Sequence, residues 1–138
     1  MAKIKFCGLS RPCDIEFANE IMPEYIGFVF YEKSRRNISF EQAEKLKKIL
    51  NPEIKTVGVF VNETPEKILS FSSVLDLIQL HGNEDEFYIE KLKNLTGKKI
   101  IKAFKLQNSE DVNLALKSPA DYIMFDSGQG TGKIFDWN

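Results

Sequence analysis

Two kinds of segment alternate along the whole of this chain, and their spacing restricts the folds that it can adopt. Short apolar runs, rich in β-branched and aromatic residues, are separated by stretches in which apolar residues recur at helical spacing. The runs begin about every 23 residues, the length of one strand followed by one helix. They occupy residues 3–7, 25–30, 55–61, 75–80, 98–104 and 120–126. Several are almost continuously apolar, as is typical of strands covered on both faces of a parallel sheet.

The stretches between the apolar runs carry helix-start signals. Ser39 is placed to cap one helix, and Thr64 is placed to cap another that begins with a proline. A third begins at Ser109 with acidic residues in its first turn, and two more are predicted over 12–22 and 85–95. Their predicted apolar faces include Leu46, Ile49 and Leu50 after Ser39, and Phe87, Ile89, Leu92 and Leu95 within 85–95. Six strands and five helices in alternation predict a parallel α/β fold.

Two parallel α/β folds fit this alternation. A length of 138 residues suits an open doubly wound sheet, whereas a closed (β/α)8 barrel normally needs at least about 200 residues. Length alone therefore favours the open sheet. In both folds, ligands bind beyond the carboxyl ends of the strands, so the residues at those ends are the candidates for a functional site.

The length and the charge of the chain limit the classes of protein to which it can belong. Its length predicts a single domain over 1–138. The net charge of -1 provides no electrostatic reason to expect a nucleic acid or a membrane surface as partner. No apolar run approaches the roughly 20 residues needed to span a bilayer. Two cysteines are too few for a disulfide framework, which together with the lack of a signal-like amino terminus predicts a cytoplasmic protein.

Reactive side chains follow several of the predicted strands. Cys7 ends the first strand, the basic segment 33–36 follows the second, His81 follows the fourth and Asp126 ends the sixth. Each has an ordinary structural interpretation, since a cysteine at a strand end is often a small buried hydrophobe and a lone histidine often a hydrogen-bonded structural residue. Their common position at the carboxyl ends of the strands favours a functional site instead.

The glycine-rich segment 126–133, DSGQGTGK, does not match the common nucleotide motifs. A phosphate-binding P-loop needs serine or threonine after its lysine and a glycine at position 127, and neither is present. Gly128, Gly130 and Gly132 have the spacing G-x-G-x-G, which differs from the dinucleotide-binding G-x-G-x-x-G. The C-x-x-C and H-E-x-x-H spacings of common metal sites are also lacking, so no metal is predicted.

Six blocks of the sequence, taken together, resemble a known family. KFCGLSRP, YIGFVFYEKSRRNIS, VGVFVNETPEKI, IQLHGNE, IIKAF and GTGKIFDW closely resemble phosphoribosylanthranilate isomerase of tryptophan biosynthesis, in the same order and over essentially the whole chain. The resemblance implies a (β/α)8 barrel. It also implies an Amadori rearrangement of a small phosphorylated substrate, N-(5-phosphoribosyl)anthranilate, to 1-(2-carboxyphenylamino)-1-deoxyribulose 5-phosphate, without a cofactor.

The same resemblance implies a role for individual residues. Asp126 matches the general acid that protonates the furanose ring oxygen, and Cys7 matches the general base that removes the C2 proton. Arg36 matches the residue that holds the anthranilate carboxylate, and His81 is assigned to the substrate-binding wall. The lid loop would contain Gly128, Gly130 and Gly132. At neutral pH a thiol is mostly protonated and an aspartate mostly ionised, so we expect cationic surroundings for Cys7, with Arg36 as the candidate, and a desolvated, lid-covered position for Asp126.

The family barrel has eight strands, and the sequence pattern provides six. We therefore expect the chain to be truncated at its carboxyl end relative to the family, without the loops after strands seven and eight that commonly bind phosphate in such barrels. Unpaired edges of the first and sixth strands would invite association with another chain, as a homo-oligomer or with a second chain that closes the barrel. The alternative functions are an inactive or partner-dependent barrel fragment that acts as a binding or scaffold module, and a nucleotide-binding open-sheet module.

Overall fold

A computed structural model of the chain describes residues 2–126, which form one six-stranded parallel sheet with helices between the strands. The strands are β1 (Lys5–Cys7), β2 (Tyr25–Val29), β3 (Lys55–Phe60), β4 (Leu77–Leu80), β5 (Lys99–Lys105) and β6 (Tyr122–Asp126). The helices are α1 (Pro12–Ile21), α2 (Phe40–Ile49), α3 (Pro65–Phe71), α4 (Glu86–Thr96) and α5 (Ser109–Leu116), and a short 3-10 turn, Ser72–Val74, follows α3. Every predicted element is present within a few residues of its predicted bounds.

The strands lie in the sheet in the order in which they occur along the chain, from β1 to β6. A doubly wound sheet must reverse its strand order at a switch point, and no reversal occurs between β1 and β6. The open doubly wound alternative is therefore wrong for this part of the chain. A parallel sheet that advances strand by strand in one direction is the wall of a TIM-type barrel, and these six strands with five helices form a half-barrel.

The two faces of the sheet are covered differently. One face packs into a large core in which strand residues such as Phe28 and Ile78 meet helix residues such as Ile15, Leu46 and Leu92. The other face carries a smaller cluster formed only by strand residues, namely Val57, Leu77 and Ile101, with Tyr25 and Met124 packed against it. Helices on one face and a strand-only cluster on the other identify the second face as the concave, inward face of the barrel wall.

The predicted helix starts are confirmed in atomic detail. The Ser39 hydroxyl accepts the Gln42 N–H at 3.2 Å, while the Gln42 side chain accepts the Ser39 N–H at 2.8 Å, which is a complete capping box. Thr64 caps α3 by accepting the Lys67 N–H at 3.3 Å. Asp85 caps α4 in the same way, with a 2.8 Å bond from the Tyr88 N–H. These local bonds satisfy backbone donors that have no partner inside the helix.

The predicted apolar face of α4 is wrong in part. Ile89 and Leu92 are buried against the sheet, but Phe87 is 83% exposed and Leu95 is 39% exposed. Successive helix residues are rotated by about 100°, so Phe87 lies about 200° from Ile89 and points away from the core. Leu46 of α2 and Leu50, the residue that caps its carboxyl end, are buried as predicted, whereas Ile49 is 47% exposed.

Three carboxylates fasten the amino ends of the strands, and we call them the amino-end clamps. Each stands just before an even-numbered strand and accepts a backbone N–H at, or immediately before, the start of the preceding odd-numbered strand. The pairs, each with a distance of 2.8 Å, are Glu24 with Ile4, Asp76 with Thr56 and Asp121 with Ile100. Lys47 lies 3.6 Å from Asp76, and Lys93 lies 3.3 Å from Asp121. These hydrogen bonds and ion pairs stabilise the amino ends of the strands.

The amino-end clamps predict how stability depends on pH. Burial acts to raise the pKa of Asp76, but the Thr56 N–H and the Lys47 charge outweigh it and hold that pKa below its usual range. The Ile100 N–H and Lys93 do the same for Asp121 against the same opposing effect of burial. A carboxyl with a lowered folded-state pKa contributes stability that is complete above its unfolded pKa of about 4 and is lost as the pH falls through the folded value.

We therefore expect the free energy of unfolding to decrease as the pH falls from about 5 towards 2. A double variant, Asp76→Asn with Asp121→Asn, should be less stable at pH 7 and show a shallower decrease, so that the two curves converge in acid. Urea unfolding at a series of pH values measures this. Glu90→Gln changes an exposed position on α4 and serves as the control. Its curve of unfolding free energy against pH should run parallel to that of the unmodified protein. An unchanged acid slope in the double variant would contradict the role of the clamps.

Candidate active site

The structure places the four predicted site residues at the carboxyl ends of the strands, a region that we call the carboxyl edge. Cys7 and Asp126 are the last residues of β1 and β6, His81 directly follows β4, and Arg36 lies in the loop between β2 and α2. Gly128, Gly130 and Gly132, which are predicted to belong to a lid loop, lie outside the described residues.

Cys7, His81 and Asp126 all belong to the inward face of the wall. Alternate residues of a strand share a face. Asp126 follows Met124 by two residues, and His81 follows Leu77 by four, so both continue the rows that build the inward cluster. Cys7 pairs in register with Gly27, two residues beyond the inward-facing Tyr25. The residues with proton-transfer chemistry thus project towards the interior of the barrel, where a substrate would be shielded from water.

His81 and Asp126 are in direct contact. The distance between Nε2 of His81 and Oδ2 of Asp126 is 3.1 Å, and the two side chains are 32% and 27% exposed. One proton can bridge these two atoms, either as a neutral carboxyl next to neutral imidazole or as a carboxylate next to imidazolium. The sequence indicated that these residues share an edge, but it did not predict that they touch.

Arg36 reaches Cys7 through the main chain. Its Nη1 donates a hydrogen bond to the carbonyl oxygen of Cys7 at 3.2 Å. Two glycines leave room for this arrangement. A Cβ atom at Gly8, whose φ is +80°, would lie 2.4 Å from Cδ of Arg36, and a Cβ atom at Gly27 would lie 3.0 Å from Sγ of Cys7. Gly8 therefore requires glycine, and at Gly27 a side chain would crowd the Cys7 thiol.

Lys5 is a candidate functional residue that the sequence analysis missed. It precedes Cys7 by two residues and so shares its inward face, and its ammonium donates to the side-chain oxygen of Gln79, a residue only 3% exposed. Burial lowers the pKa of Lys5, while the neighbouring Cys7 charge acts in the opposite direction. Lys5 is thus a cationic group on the same face as the Cys7 thiol. The K-x-C spacing was the available signal, because it places both side chains on one face.

Replacing Lys5 with methionine should slow alkylation of Cys7. Loss of a nearby positive charge lowers the thiolate fraction, and we expect the rate with iodoacetamide at pH 7 to fall about three- to tenfold. The measurement uses a Cys13→Ser background, in which Cys7 is the single thiol. Lys3→Met, at an exposed position in the same segment, is the matched control and should leave the rate unchanged. Equal rates for the Lys5 and Lys3 variants would exclude Lys5 from this role.

Within residues 2–126, no group of three or more histidine, cysteine, aspartate or glutamate side chains is arranged to hold a metal ion. Within the same residues, none of the helices has both the length and the apolar character required to cross a bilayer.

A sequential parallel sheet with helices on one face and polar side chains at its carboxyl edge defines the class of TIM-type barrel enzymes. A family model described as N-(5'-phosphoribosyl)anthranilate (PRA) isomerase matches residues 4–138. The chain therefore belongs to the N-(5'-phosphoribosyl)anthranilate isomerase family, an enzyme family of tryptophan biosynthesis.

Individual relatives agree with this assignment. The N-(5'-phosphoribosyl)anthranilate isomerase of Thermoanaerobacter sp. (strain X514) is 44% identical over 144 residues, which cover 99% of this chain and 69% of the relative. The crystal structure of the Thermotoga maritima isomerase has 38% identity and a TM-score of 0.87, with 99% of this chain and 69% of that chain covered. The chain thus spans about two thirds of the length of these relatives.

Two further structures describe a ligand and an assembly. A phosphoribosylanthranilate isomerase in complex with reduced 1-(o-carboxyphenylamino)-1-deoxyribulose 5-phosphate has 39% identity and a TM-score of 0.84, covering 91% of this chain and 65% of that one. The Thermotoga maritima enzyme is described as dimeric in a structure with 38% identity and a TM-score of 0.80, covering 91% of this chain and 64% of that one. These matches confirm the resemblance and the barrel fold. They leave the roles of the individual site residues as predictions.

Proposed function

We propose that this chain catalyses the Amadori rearrangement of N-(5'-phosphoribosyl)anthranilate to 1-(2-carboxyphenylamino)-1-deoxyribulose 5-phosphate. The observation that carries the proposal is the inward-facing set at the carboxyl edge, where the Asp126 carboxyl lies 3.1 Å from the His81 imidazole and Cys7 shares its face with the half-buried Lys5 ammonium. A carboxyl and a thiol on the same face of the sheet are groups of the kind that can supply the acid and the base that an aldose-to-ketose shift requires.

Ring opening is the first step. The Asp126 carboxyl donates its proton to the furanose ring oxygen, and the bond between C1 and that oxygen breaks with its electron pair moving to the oxygen. The lone pair of the anthranilate nitrogen forms the C1=N bond of an iminium ion. The resulting Asp126 carboxylate remains next to His81 Nε2, which is placed to return a proton to it.

Proton abstraction is the second step. The Cys7 thiolate removes the C2 proton, the C2–H electrons form a C1=C2 bond, and the C1=N electrons return to nitrogen, which yields an enolamine. The enolamine then takes a proton at C1 and loses one from its C2 hydroxyl, which leaves the C2 ketone. The Lys5 ammonium lies on the same inward face as Cys7 and supplies a positive charge near the reacting sulfur.

Arg36 is proposed to hold the anthranilate carboxylate. A guanidinium carries five N–H donors, and the Cys7 carbonyl engages Nη1. A bidentate bond from the guanidinium to a carboxylate would fix the aromatic end of the substrate near Cys7. The Gly8 backbone, which leaves space for the Arg36 side chain, sets the approach of that guanidinium to β1.

The test is turnover of freshly prepared N-(5'-phosphoribosyl)anthranilate, with the rearranged ketose phosphate identified chromatographically. Formation of this product at a rate proportional to protein concentration supports the proposal. A folded protein, shown by a cooperative unfolding transition, that forms no product with this substrate would overturn it and would favour the binding or scaffold alternative.

We also propose that the protein self-associates. Within residues 2–126, β1 and β6 stand at the two ends of the strand order, and Tyr122 and Phe125 of β6 are 42% and 46% exposed. Exposed apolar strand edges favour pairing with another chain, and one relative is described as dimeric. Sedimentation velocity over a hundredfold concentration range tests this. A single monomeric species throughout would exclude self-association.

A further inference from the structure

A buried ion pair lies directly behind the candidate active site. Lys102 of β5 and Glu84 of the loop between β4 and α4 are 5% and 1% exposed, and Nζ of Lys102 lies 2.9 Å from Oε1 of Glu84. Lys102 follows Ile100 by two residues in β5 and therefore lies on the same, helix-covered face of the sheet. The sheet itself separates this face from the inward face. Burying two charges is costly even when they are paired, so an apolar pair of the same volume would often be at least as stable. Stability alone therefore does not account for this pair.

The two charged side chains form hydrogen bonds to the peptide groups of a single turn. The Glu84 carboxylate accepts the Gly82 N–H through Oε1 and the Asn62 N–H through Oε2, both at 2.8 Å. The Lys102 ammonium donates to the carbonyl oxygen of Gly82. Both polar groups of the Gly82 backbone are therefore held by the two buried charges, and β3 is tied to the same turn through Asn62.

Asn62 completes the cradle around this glycine. Its φ is +49°, and its side-chain oxygen accepts the Asn83 N–H at 2.7 Å. A Cβ atom at Gly82 would lie 2.3 Å from that oxygen. The turn is thus closely packed as well as hydrogen-bonded, which leaves the peptide that precedes it little freedom to rotate.

That preceding peptide carries His81. Its N–H donates to the Phe60 carbonyl at 2.9 Å, and the next residue is the clamped Gly82. With the main chain held on both sides, the direction of the Cα–Cβ bond of His81 is fixed, and from this position Nε2 reaches Asp126 at 3.1 Å.

We propose that Glu84 and Lys102 form a positioning pair that holds the His81–Gly82 main chain so that the imidazole stays in contact with the Asp126 carboxyl. The pair acts through the turn and not on the substrate. Its importance for catalysis rests on the proposed function, whereas its control of the contact between His81 and Asp126 can be tested on the free protein.

The experiment uses the single histidine of the sequence as a reporter. The ¹⁵N resonances of the His81 ring are recorded against pH in the unmodified protein and in the Asp126→Asn variant. The test variant is the double change Glu84→Gln with Lys102→Met, which removes both charges together and so leaves no charge buried without a partner. Glu84→Gln alone is the second variant, since its amide oxygen can still accept an N–H from the turn. Lys93→Met is the control, because it breaks a partly exposed lysine–carboxylate pair at the opposite, amino ends of the strands.

We expect the double variant to unfold cooperatively and to show a His81 Nε2 resonance and titration close to those of Asp126→Asn. Glu84→Gln should lie between it and the unmodified protein. The Lys93→Met control should be less stable but should keep the unmodified His81 spectrum. In turnover assays, kcat of the double variant should fall about 10- to 100-fold with KM nearly unchanged, as expected for a misplaced proton-transfer group.

Two results would overturn the proposal. One is a His81 resonance and titration in Glu84→Gln that match those of the unmodified protein, with the same result in the double variant if that variant folds. The pair would then have only a structural role. The other is an unchanged His81 spectrum in Asp126→Asn, which would show that the contact does not exist in solution. Because both readouts come from the free protein, a lack of turnover would reject the proposed function without deciding the positioning role.

Discussion

Replacing Cys7 with alanine is expected to lower kcat by about 10²- to 10⁴-fold, the usual contribution of a positioned general base. The thiol faces the barrel interior from the last position of β1, next to the Lys5 ammonium and in the space left by Gly27. Alanine removes the base without adding volume, so the fold and substrate binding should be preserved. Steady-state kinetics with N-(5'-phosphoribosyl)anthranilate, giving kcat and KM separately, measures the effect.

Cys13 provides the internal control for this prediction. It is an exposed free cysteine at the start of α1, outside the carboxyl-edge set. Cys13→Ala should therefore keep the unmodified kcat, and iodoacetamide should inactivate the Cys13→Ala protein but have no further effect on Cys7→Ala. Turnover of Cys7→Ala within about tenfold of the unmodified protein would fall short of a general-base contribution and would remove Cys7 from the mechanism.

The second large effect is expected for Asp126→Asn, with kcat again lowered by about 10²- to 10⁴-fold. Asparagine has nearly the same shape but removes the charge and the acidic proton at the 3.1 Å contact with Nε2 of His81. It cannot deliver a proton to the ring oxygen. The loss should therefore appear in kcat, with KM changed little, because the substrate binds to a cavity of the same form.

Asp121→Asn is the matched control for Asp126→Asn. The two aspartates flank the same strand, and Asp121 belongs to the amino-end clamps, where its carboxylate accepts the Ile100 N–H at 2.8 Å. Its replacement should lower the stability of the fold and leave kcat at 25 °C intact. If the two variants lost equal turnover, the effect at Asp126 would be structural, and its assignment as the acid would fail.

The expected differences between the variants and their controls arise because the two ends of the strands have different roles. At the amino ends, the clamps Asp76 and Asp121 bind backbone N–H groups and lysines, and their lowered pKa values link the fold to pH. At the carboxyl ends, His81 and Asp126 are about one-third exposed or less and point into the interior. Stability and chemistry can therefore be perturbed separately in this sheet, as the paired variants are designed to show.

The sequence correctly predicts those features of the fold that depend on neighbouring residues alone. Helix starts at Ser39, Thr64 and Asp85 depend on side chains within three residues, and each appears with its capping bond. Burial of Phe87 was predicted wrongly, because hydrophobicity alone does not say on which side of α4 a residue stands. The sheet faces Ile89 and Leu92, and Phe87, two positions before Ile89, points into solvent.

Some features of the site had no local signal. Lys5 was visible as a neighbour of Cys7 by strand alternation, but its contact with Gln79 joins residues 74 positions apart. Glu84 and Lys102 read as ordinary surface charges in the sequence, and only the packing of the turn behind β4 and β5 pairs them. Such contacts depend on how strands align, which no short stretch of sequence encodes by itself.

From its sequence alone, the chain could be assigned its alternating strands and helices, its helix caps, its family and the four side chains of the carboxyl edge. These follow from short-range physics and from motifs that lie within single segments. The choice between an open sheet and a barrel wall depended instead on the order of the strands in the sheet. The contact of His81 with Asp126 and the buried pair behind it were likewise found only in three dimensions, because they join residues brought together by parallel strand pairing and helix packing.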